Sequence, residues 1–582
     1  MRINAKVCSL LLILTTFENS SAEDPDYSTR LEKKPNILVL FADDVGTGDV
    51  PGYFQRSGIV DMPNLQKLVD EGVTFTDAHS TPLCAPSRYV FLSGNYQHRG
   101  QRYPGLWNLN YKMNQFKPGQ LSLPSILQDN GYDTGIFGKW HLGGKIPTES
   151  NFKSGKFYAS KNSLLKESGH DWSKPIEQGP WDIGFKTSVI TTGGIQSPPY
   201  AFFRNGMLDV EMDEIVTWTT GNYSMNEGVS YIKTDGEGTI EWDSSAYNMI
   251  VANETLSYIE TLQEEEPDKP FFAYLAMSAV HIPNSPPDTF LDGSPVAGQY
   301  QNNHLDALLE LDKIVGHMSN SLDELGLLED TIILFTSDNG GLNGLTTFSD
   351  QYGHYSNGPL RGSKGEIYEG GIRVPFTIKW EGGKIPKGEK RSNLIGLNDI
   401  FRTICGLVGI NVPQGQAVDS KDFSRYIYNE KSTYGLRKYL GAWVYFDSRL
   451  QFESMRYNEM KLVRSYQNST AELFNLTADP SETRDVSSQH SDLVVKMFQR
   501  IRIDGPCHDK GGHFRVKTER KARTFRYISC YWIRQKRTEK RCAKFPEAEN
   551  HCHYSCAGRN KQYCAKDAYD DQKLFKIFTN TY

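Results

Sequence analysis

An α/β fold, with one large, mainly parallel (mixed) sheet flanked by helices on both faces, is what this sequence predicts. Three observations point to it. Continuous apolar runs at 36–42, 271–278 and 331–336 have the length and composition of strands buried on both faces. Segments with helical apolar spacing at 123–130, 246–263 and 303–328 alternate with them, as crossover connections between parallel strands require. Each run also leads to charged, amide or imidazole residues, and sites in parallel sheets gather beyond the carboxyl ends of strands. A smaller C-terminal α+β subdomain with a short antiparallel sheet is expected next, and then a small disulfide-rich module.

The 582 residues are too many for one core. Residues 1–22 carry basic Arg2 and Lys6, an apolar run from Val7 to Phe17, and small Ser20 and Ala22 at cleavage-site spacing. That is the pattern of a secretory signal and is too short for a membrane span. No later apolar stretch is long enough to cross a bilayer, so a soluble protein on the secretory route is expected, extracellular or alternatively lysosomal. Sequons at Asn222, Asn253, Asn468 and Asn475 agree with that route.

In chain order, the unit 23–395 begins with the strand 36–42, which delivers the adjacent carboxylates Asp43 and Asp44, with Gly46 and Gly48 behind them. Residues 83–94 read LCAPSRYVFLSG. Pro86 suits a first helical turn, so Cys84 falls at a helix N-terminus, whose open N–H groups favour an anion. Arg88, one turn on, adds a full charge on the same face. A helix at 123–130 capped by Gly131 leads to a strand at 134–137, then to Lys139 and His141. The run 271–278 leads to His281, and 331–336 leads to Asp338 and Asn339. A glycine-rich loop from 358 carries Lys364, followed by a strand through Trp380. The subdomain 396–505 contains a helix at 397–408, strands at 440–445, 460–465 and 471–476, and a last helix at 493–503.

Residues 506–566 form the cysteine-rich module, and 567–582 a tail. Of nine cysteines, Cys8 lies in the signal, Cys84 and Cys405 stand alone, and six fall between 507 and 564. Six in a short secreted segment imply three disulfides, which leaves Cys84 unpaired. The segment 507–564 has a formal charge of +10 in a chain of −6, so the remainder carries −16. A sulfated or otherwise anionic polysaccharide is the partner such a basic segment suits on the secretory route, rather than nucleic acid.

Asp43, Asp44, Asp338 and Asn339 make an all-oxygen set that suits a hard divalent cation, calcium before magnesium. Arg88, Lys139 and Lys364 surround it with more cations than a metal needs, an arrangement suited to a tetrahedral oxyanion, and His141 and His281 are available as proton carriers. Phosphate and sulfate esters both fit this pattern, as does a non-catalytic domain that binds a sulfated matrix.

CAPSRYVFLSG, together with FADDVGTGD upstream and GYDTGIFGKWHLG, HIP, SDNG and GSKGEIYEGG downstream, resembles the sulfatase family of the alkaline-phosphatase superfold over about 36–480. The resemblance implies a calcium-dependent sulfuric ester hydrolase acting on aryl sulfates or sulfated carbohydrates. It implies that Cys84 is converted to formylglycine by a formylglycine-generating enzyme, and that the hydrated aldehyde attacks sulfur. It further implies one Ca²⁺ held by Asp43, Asp44, Asp338 and Asn339 with the modified Cys84 facing it. Arg88 would hold the diol, Lys139 the sulfate, and His141 would assist elimination; His281 would protonate, and Lys364 bind, the leaving oxygen. Phosphatases of the superfold commonly use Ser or Thr and further metal ligands, so the cysteine favours sulfate. The module around Cys507, Cys530, Cys552 and Cys556 is similar to ShK-toxin-like domains, with longer gaps before Cys530 and Cys564. Residues 145–250, which would line the substrate approach, match no pattern beyond 179–182.

Overall fold

The structure, a computed structural model, describes residues 33–54, 59–101, 114–147, 170–209, 214–342, 349–446, 449–467, 470–506, 513–517 and 525–529. The expected signal segment, Asn468 and all six cysteines of the C-terminal module lie outside these residues.

Ten strands form the main sheet: β1 (Asn36–Ala42), β2 (Val73–Phe75), β3 (Asp133–Lys139), β4 (Thr187–Thr191), β5 (Phe203–Arg204), β6 (Met207–Leu208), β7 (Phe271–Ala276), β8 (Thr331–Ser337), β9 (Phe376–Lys379) and β10 (Glu389–Arg391). Their order is β10-β2-β9-β8-β1-β7-β3-β4-β5-β6. The five central strands, β8-β1-β7-β3-β4, are all parallel. Antiparallel pairs appear only toward the margins, where β9 joins β8 and β5 joins β4. The expected large mixed sheet is therefore present.

β1 is buried along its whole length because it has a core on each side. Ile37, Val39 and Phe41 pack among residues of α2 (Cys84–Ser93), α3 (Leu123–Gln128) and a helix at Ile400–Leu407. Leu38, Leu40 and Ala42 pack on the other side among residues of α1 (Pro63–Glu71), α4 (Tyr247–Glu265) and α5 (Asn303–Glu324). Each such Leu or Phe contributes about 1.5–3 kcal/mol by leaving water, which is why these strands lack the alternation of a half-exposed sheet. α3 starts at a capping box in which Ser122 and Ser125 bond reciprocally, and Gly131, three residues past its end, takes the left-handed φ of +90°.

Beyond Leu407 the chain builds a four-stranded antiparallel sheet from β11 (Tyr439–Phe446), β12 (Arg449–Tyr457), β13 (Met460–Ser465) and β14 (Ala471–Asn475). The terminal helix Ser491–Asp504 covers one face through Met497 and Ile501 against Met455, Leu462 and Leu473. Ala442, Val444, Val463 and Phe474 on the other face meet Ile367 and Ile372, from the segment that follows Lys364. The helix Ile400–Leu407, in contrast, belongs to the core of the large sheet. Within the basic C-terminal segment, 513–517 and 525–529 form an antiparallel pair. Two small antiparallel pairs, Ile215–Trp218 with Gly236–Thr239 and Gly221–Ser224 with Val229–Ile232, occupy the part of the chain in which the sequence showed no pattern.

Candidate active site

The carboxyl ends of β1, β3, β7 and β8 lie side by side in the sheet, and each delivers polar groups to one place. β1 ends in Asp43 and Asp44. The Asp43 amide donates to Ala279 O at 3.0 Å and the Asp44 amide to Asp338 Oδ1 at 3.1 Å, so the ends of β1, β7 and β8 are tied together. Asp44 takes a φ of +64°, which turns its side chain away from its neighbour's course. β3 supplies Lys139 and His141, the segment after β7 supplies His281, and β8 supplies Asp338 and Asn339.

Lys139 Nζ pairs with Asp43 Oδ2 at 2.5 Å. Arg88 Nη2 meets Asp338 Oδ2 at 3.1 Å and Asp43 Oδ2 at 3.5 Å, while its Nη1 donates to Lys139 O at 2.9 Å. Lys364 Nζ lies 2.7 Å from Asp44 Oδ1 and 2.8 Å from His281 Nε2. His281 Nδ1 is 2.6 Å from Ile282 O, and a carbonyl can only accept, so the proton of the neutral ring sits on Nδ1 and Nε2 accepts from Lys364. Asn339 Nδ2 donates to Asp44 Oδ1 at 2.8 Å.

Cys84 is the first residue of α2, and its N-cap Leu83 has no capping side chain. Donor atoms of Asp43, Cys84 and His281 lie within 4.8 Å of one another. Cys84, Arg88, Lys139, His141 and the three aspartates are all essentially closed to solvent, and Lys364 retains 15% of its side-chain exposure. The structure thus brings all ten sequence-derived site residues to one buried cluster. Both lone cysteines, Cys84 and Cys405, are free.

The electrostatics follow from burial set against cations. Burial pushes the Asp43 carboxyl up, yet Lys139, His281, Arg88 and Lys364 together hold it well below its usual range. Asp44 is lowered in the same way, chiefly by Lys364 against burial. Asp338 goes the other way: burial and then the Asp43 charge push it up to about 7. Burial raises the Cys84 thiol, so the encoded residue is a neutral thiol and a poor nucleophile. Burial and Lys139 keep His141 well below the usual imidazole range, and burial and Lys364 lower His281 to about 3. Both rings are therefore neutral bases at neutral pH.

The donor set fits a hard cation. Oxygens of Asp43, Asp44 and Asp338 lie within 4.8 Å of one another. Asp43 Oδ1 and Asn339 Oδ1 are buried with no hydrogen-bond partner among the described residues. Unsatisfied buried carboxylate and amide oxygens beside a carboxyl destabilised by its neighbours are what a divalent cation would relieve.

Two contributors were missed by the sequence. Gln196 Oε1 accepts from Lys139 Nζ at 3.4 Å, beside Gly194, where a Cβ would come within 2.9 Å of the lysine's Cδ. Lys233 follows the strand Val229–Ile232, and burial, then the charge of Lys364, lower its amine. Neither residue stands in a recognisable motif.

Carboxylates and lysines at the strand ends, with a free cysteine at a helix N-terminus, suit an ester hydrolase acting on a tetrahedral oxyanion, and comparison with known proteins identifies the ester as sulfate. The sulfatase family model matches residues 35–410, and a model described as the C-terminal part of N-sulphoglucosamine sulphohydrolase matches 363–503. The chain belongs to the sulfatase family. It is 28% identical over 512 residues to an N-acetylgalactosamine-6-O-sulfatase of Bacteroides thetaiotaomicron, covering 81% of this chain and 93% of that protein. It is 30% identical to the dog N-acetylgalactosamine-6-sulfatase, covering 71% of this chain and 68% of the relative, and 30% identical to human arylsulfatase D, covering 66% and 67%. A solved sulfatase from a study of glycosaminoglycan metabolism in B. thetaiotaomicron superposes with a TM-score of 0.65 at 25% identity, covering 81% of this chain and 98% of its own. The second family model covers the antiparallel C-terminal sheet. No helix among the described residues is long and apolar enough to cross a membrane.

Proposed function

We propose that this sulfatase uses a formylglycine made from Cys84 and one Ca²⁺ to hydrolyse a sulfate ester of a carbohydrate, with a 6-O-sulfated N-acetylhexosamine as the first substrate to test. The observation that carries this reading is the placement of Cys84 at an open helix N-terminus within one buried cluster of Asp43, Arg88, Lys139, His141, His281 and Lys364. Two relatives are named for the 6-sulfate of N-acetylgalactosamine, which supports the sugar.

The ion would be held by Asp43, Asp44, Asp338 and Asn339 with the modified residue 84, and when bound it supplies positive potential for the sulfate oxygens and the attacking group. The three carboxylates and three cations of the cluster are otherwise balanced, so a divalent ion would make the pocket electropositive toward an anionic ester. The hydrated aldehyde supplies the oxygen that attacks sulfur, with departure of the sugar oxygen. Arg88, locked between Asp43, Asp338 and Lys139 O, positions residue 84, and Lys139 neutralises the sulfate. Lys364 carries the proton that His281 Nε2 accepts, so the two form a proton-sharing pair for the leaving oxygen. Neutral His141 would be the base that accepts a hydroxyl proton at the modified residue 84 as sulfate is released.

Secretion or lysosomal residence, maturation by a formylglycine-generating enzyme, and the divisions at 395/396 and 505/506 are parts of the same proposal. Because Ile400–Leu407 packs in the large core, the two parts are to be expressed together. The basic module 506–566, ShK-like by its cysteine pattern, would hold anionic polysaccharide; loss of heparin retention on truncation after 505 would support this, and unchanged retention would refute it.

The test is direct. Mass spectrometry of the active protein should find formylglycine at position 84, and turnover of 6-sulfated N-acetylgalactosamine oligosaccharides should exceed that of an aryl sulfate. Thiol alone at 84 in active protein would remove the nucleophile, and a preference for the aryl ester would remove the substrate class.

A further inference from the structure

Behind the catalytic cluster lies a second convergent set of donors, which the reading above does not use. Asp49 ends the loop that begins at Asp43. His304 lies in the first turn of α5, and His354 and Ser356 lie on the loop leading to Lys364. The side chains of Asp49, His304 and His354 are at most 1% exposed, and Ser356 as a residue is 5% exposed. His354 Nε2 is 2.7 Å and His304 Nε2 is 3.4 Å from Asp49 Oδ1, and Ser356 Oγ is 3.3 Å from His304 Nε2. Donor atoms of Asp49, His304 and His354, from three chain segments, thus lie within 4.8 Å of one another, with Ser356 Oγ beside His304.

Ligands about 2.0 Å from a tetrahedral zinc stand roughly 3.3 Å apart, the spacing of two of these three contacts. Among the described residues the only ion-pair partners of Asp49 are the two imidazoles. The contrast with the other His-carboxylate group, Asp77, His79 and Glu369, is informative. There Arg456 stands within 3.2 Å of both Asp77 and the imidazole, and Lys461 within 3.0 Å of Glu369, so cations already occupy the place of a metal.

We propose that Asp49, His304, His354 and Ser356 form a second metal site, closed to solvent and selective for a borderline divalent ion, with zinc as the ion. Two imidazoles and one carboxylate suit zinc, whereas the all-oxygen cluster at Asp43 suits calcium, so the two sites sort metals by donor type. The site joins loops that carry catalytic groups. Asp49 Oδ2 also accepts the Gly46 amide at 2.8 Å, and the Gly48 amide donates to Ser356 O at 2.8 Å. A Cβ at either glycine would come within 2.0 Å of a backbone oxygen of the 354–364 loop, so the loops are in direct backbone contact. Zinc here clamps the Asp43–Asp44 loop to the segment that delivers Lys364.

The test is metal analysis of full-length protein purified without chelator or metal-affinity resin. The expected result is about one zinc per chain, retained in Asp338→Asn and reduced about tenfold or more in His304→Phe and in His354→Gln. Metal-stripped wild type, given Co²⁺, should show the intense visible bands of a tetrahedral ion without the thiolate charge-transfer bands of a cysteine site. Less than about a tenth of a zinc per chain together with no tetrahedral cobalt signal would overturn the site and leave a plain His–Asp–His hydrogen-bond network. Zinc undiminished in folded His354→Gln, or thiolate bands with cobalt, would place the metal elsewhere and overturn it equally. If the histidine variants do not fold, the cobalt spectrum of the wild type decides alone.

Discussion

Two buried ionic clusters of similar composition serve different ends in this protein. The catalytic cluster sets Asp43, Asp44 and Asp338 against Arg88, Lys139 and Lys364. The second, where Glu369 meets the C-terminal sheet, sets Asp77, Glu369 and Glu482 against Arg373, Arg456 and Lys461. In the second cluster the charges neutralise one another: Lys461 Nζ lies 3.0 Å from Glu369 and 2.9 Å from Glu482, and the Glu369 amide donates to Glu482 Oε2 at 2.6 Å. Burial notwithstanding, Lys461, His79 and Arg456 hold Glu369 well below its usual range, while burial, despite Lys461, raises Glu482. In the candidate catalytic cluster Asp43 Oδ1 and Asn339 Oδ1 find no hydrogen-bond partner among the described residues, and burial raises Asp338 to about 7. Equal numbers of charges therefore do not make equal sites. Unfinished pairing at oxygens that suit a hard cation, those of Asp43 and Asn339, sets the candidate catalytic cluster apart.

The most damaging change should be Cys84→Ala. It removes a small buried side chain at the start of α2, so the fold should persist while turnover falls on the order of 10⁴-fold or more, measured with the preferred ester and checked by an unchanged thermal transition. Residual activity near wild type would break the comparison at its root, because the cluster with unfinished pairing would then not be the catalytic one.

Lys461→Met probes the other cluster. It leaves two carboxylates facing each other in the interface and should cost about 3–5 kcal/mol of stability in denaturant unfolding, with turnover per folded molecule unchanged. A loss of turnover without a loss of stability would mean that this network acts on the chemistry.

The difference between the clusters also explains how much could be read from the sequence. The candidate positions at the strand ends, Asp43, Asp44, Lys139, His141, His281, Asp338 and Asn339, were legible, because parallel strands write themselves as apolar runs and the residues just past them have few places to go. The paired network was not. Lys461 and Arg456 lie on strands, where charged residues ordinarily mark a solvated face, and both are buried only because Glu369 and Asp77, about 90 and 380 residues away, meet them. Asp49, His304 and His354 were invisible for the same reason, being 255 and 305 residues apart. β2, β5, β6 and β10 are too short to carry a pattern, and the two small pairs after β4 are partly exposed.

Glu310 is the counter-case, a buried carboxyl with no cation. Among the described residues its Oε1 has no hydrogen-bond partner, Asn248 Nδ2 donates to Oε2 at 3.2 Å, and burial lifts it to about 8. The folded state holds this proton more tightly than the unfolded chain does. Its contribution is thus complete below the ordinary value of 4.5 and is lost as pH rises toward about 8. Glu310→Gln should therefore gain stability relative to wild type by about 3 kcal/mol between about pH 5 and about pH 7.5, read from urea midpoints. A pH-independent difference would mean that a cation reaches Glu310.

The smallest effect is expected at Lys233, and it separates the chemistry from the approach to it. Its amine is lowered by burial and by Lys364, with Asp44 acting in the opposite sense, so it sits within the field of the cluster without belonging to its ion pairs. A cation in that position adds attraction for a polyanionic glycan beyond the ester being cleaved, and nothing for a small aryl sulfate, whose single charge already lies on Lys139. Lys233→Ala should raise KM for a sulfated oligosaccharide about 3–10-fold, an effect that added salt removes, and leave kcat and aryl sulfate turnover unchanged. Equal losses on both esters would instead put Lys233 with the groups that stabilise the transition state, and the catalytic cluster would then hold four cations against three carboxylates.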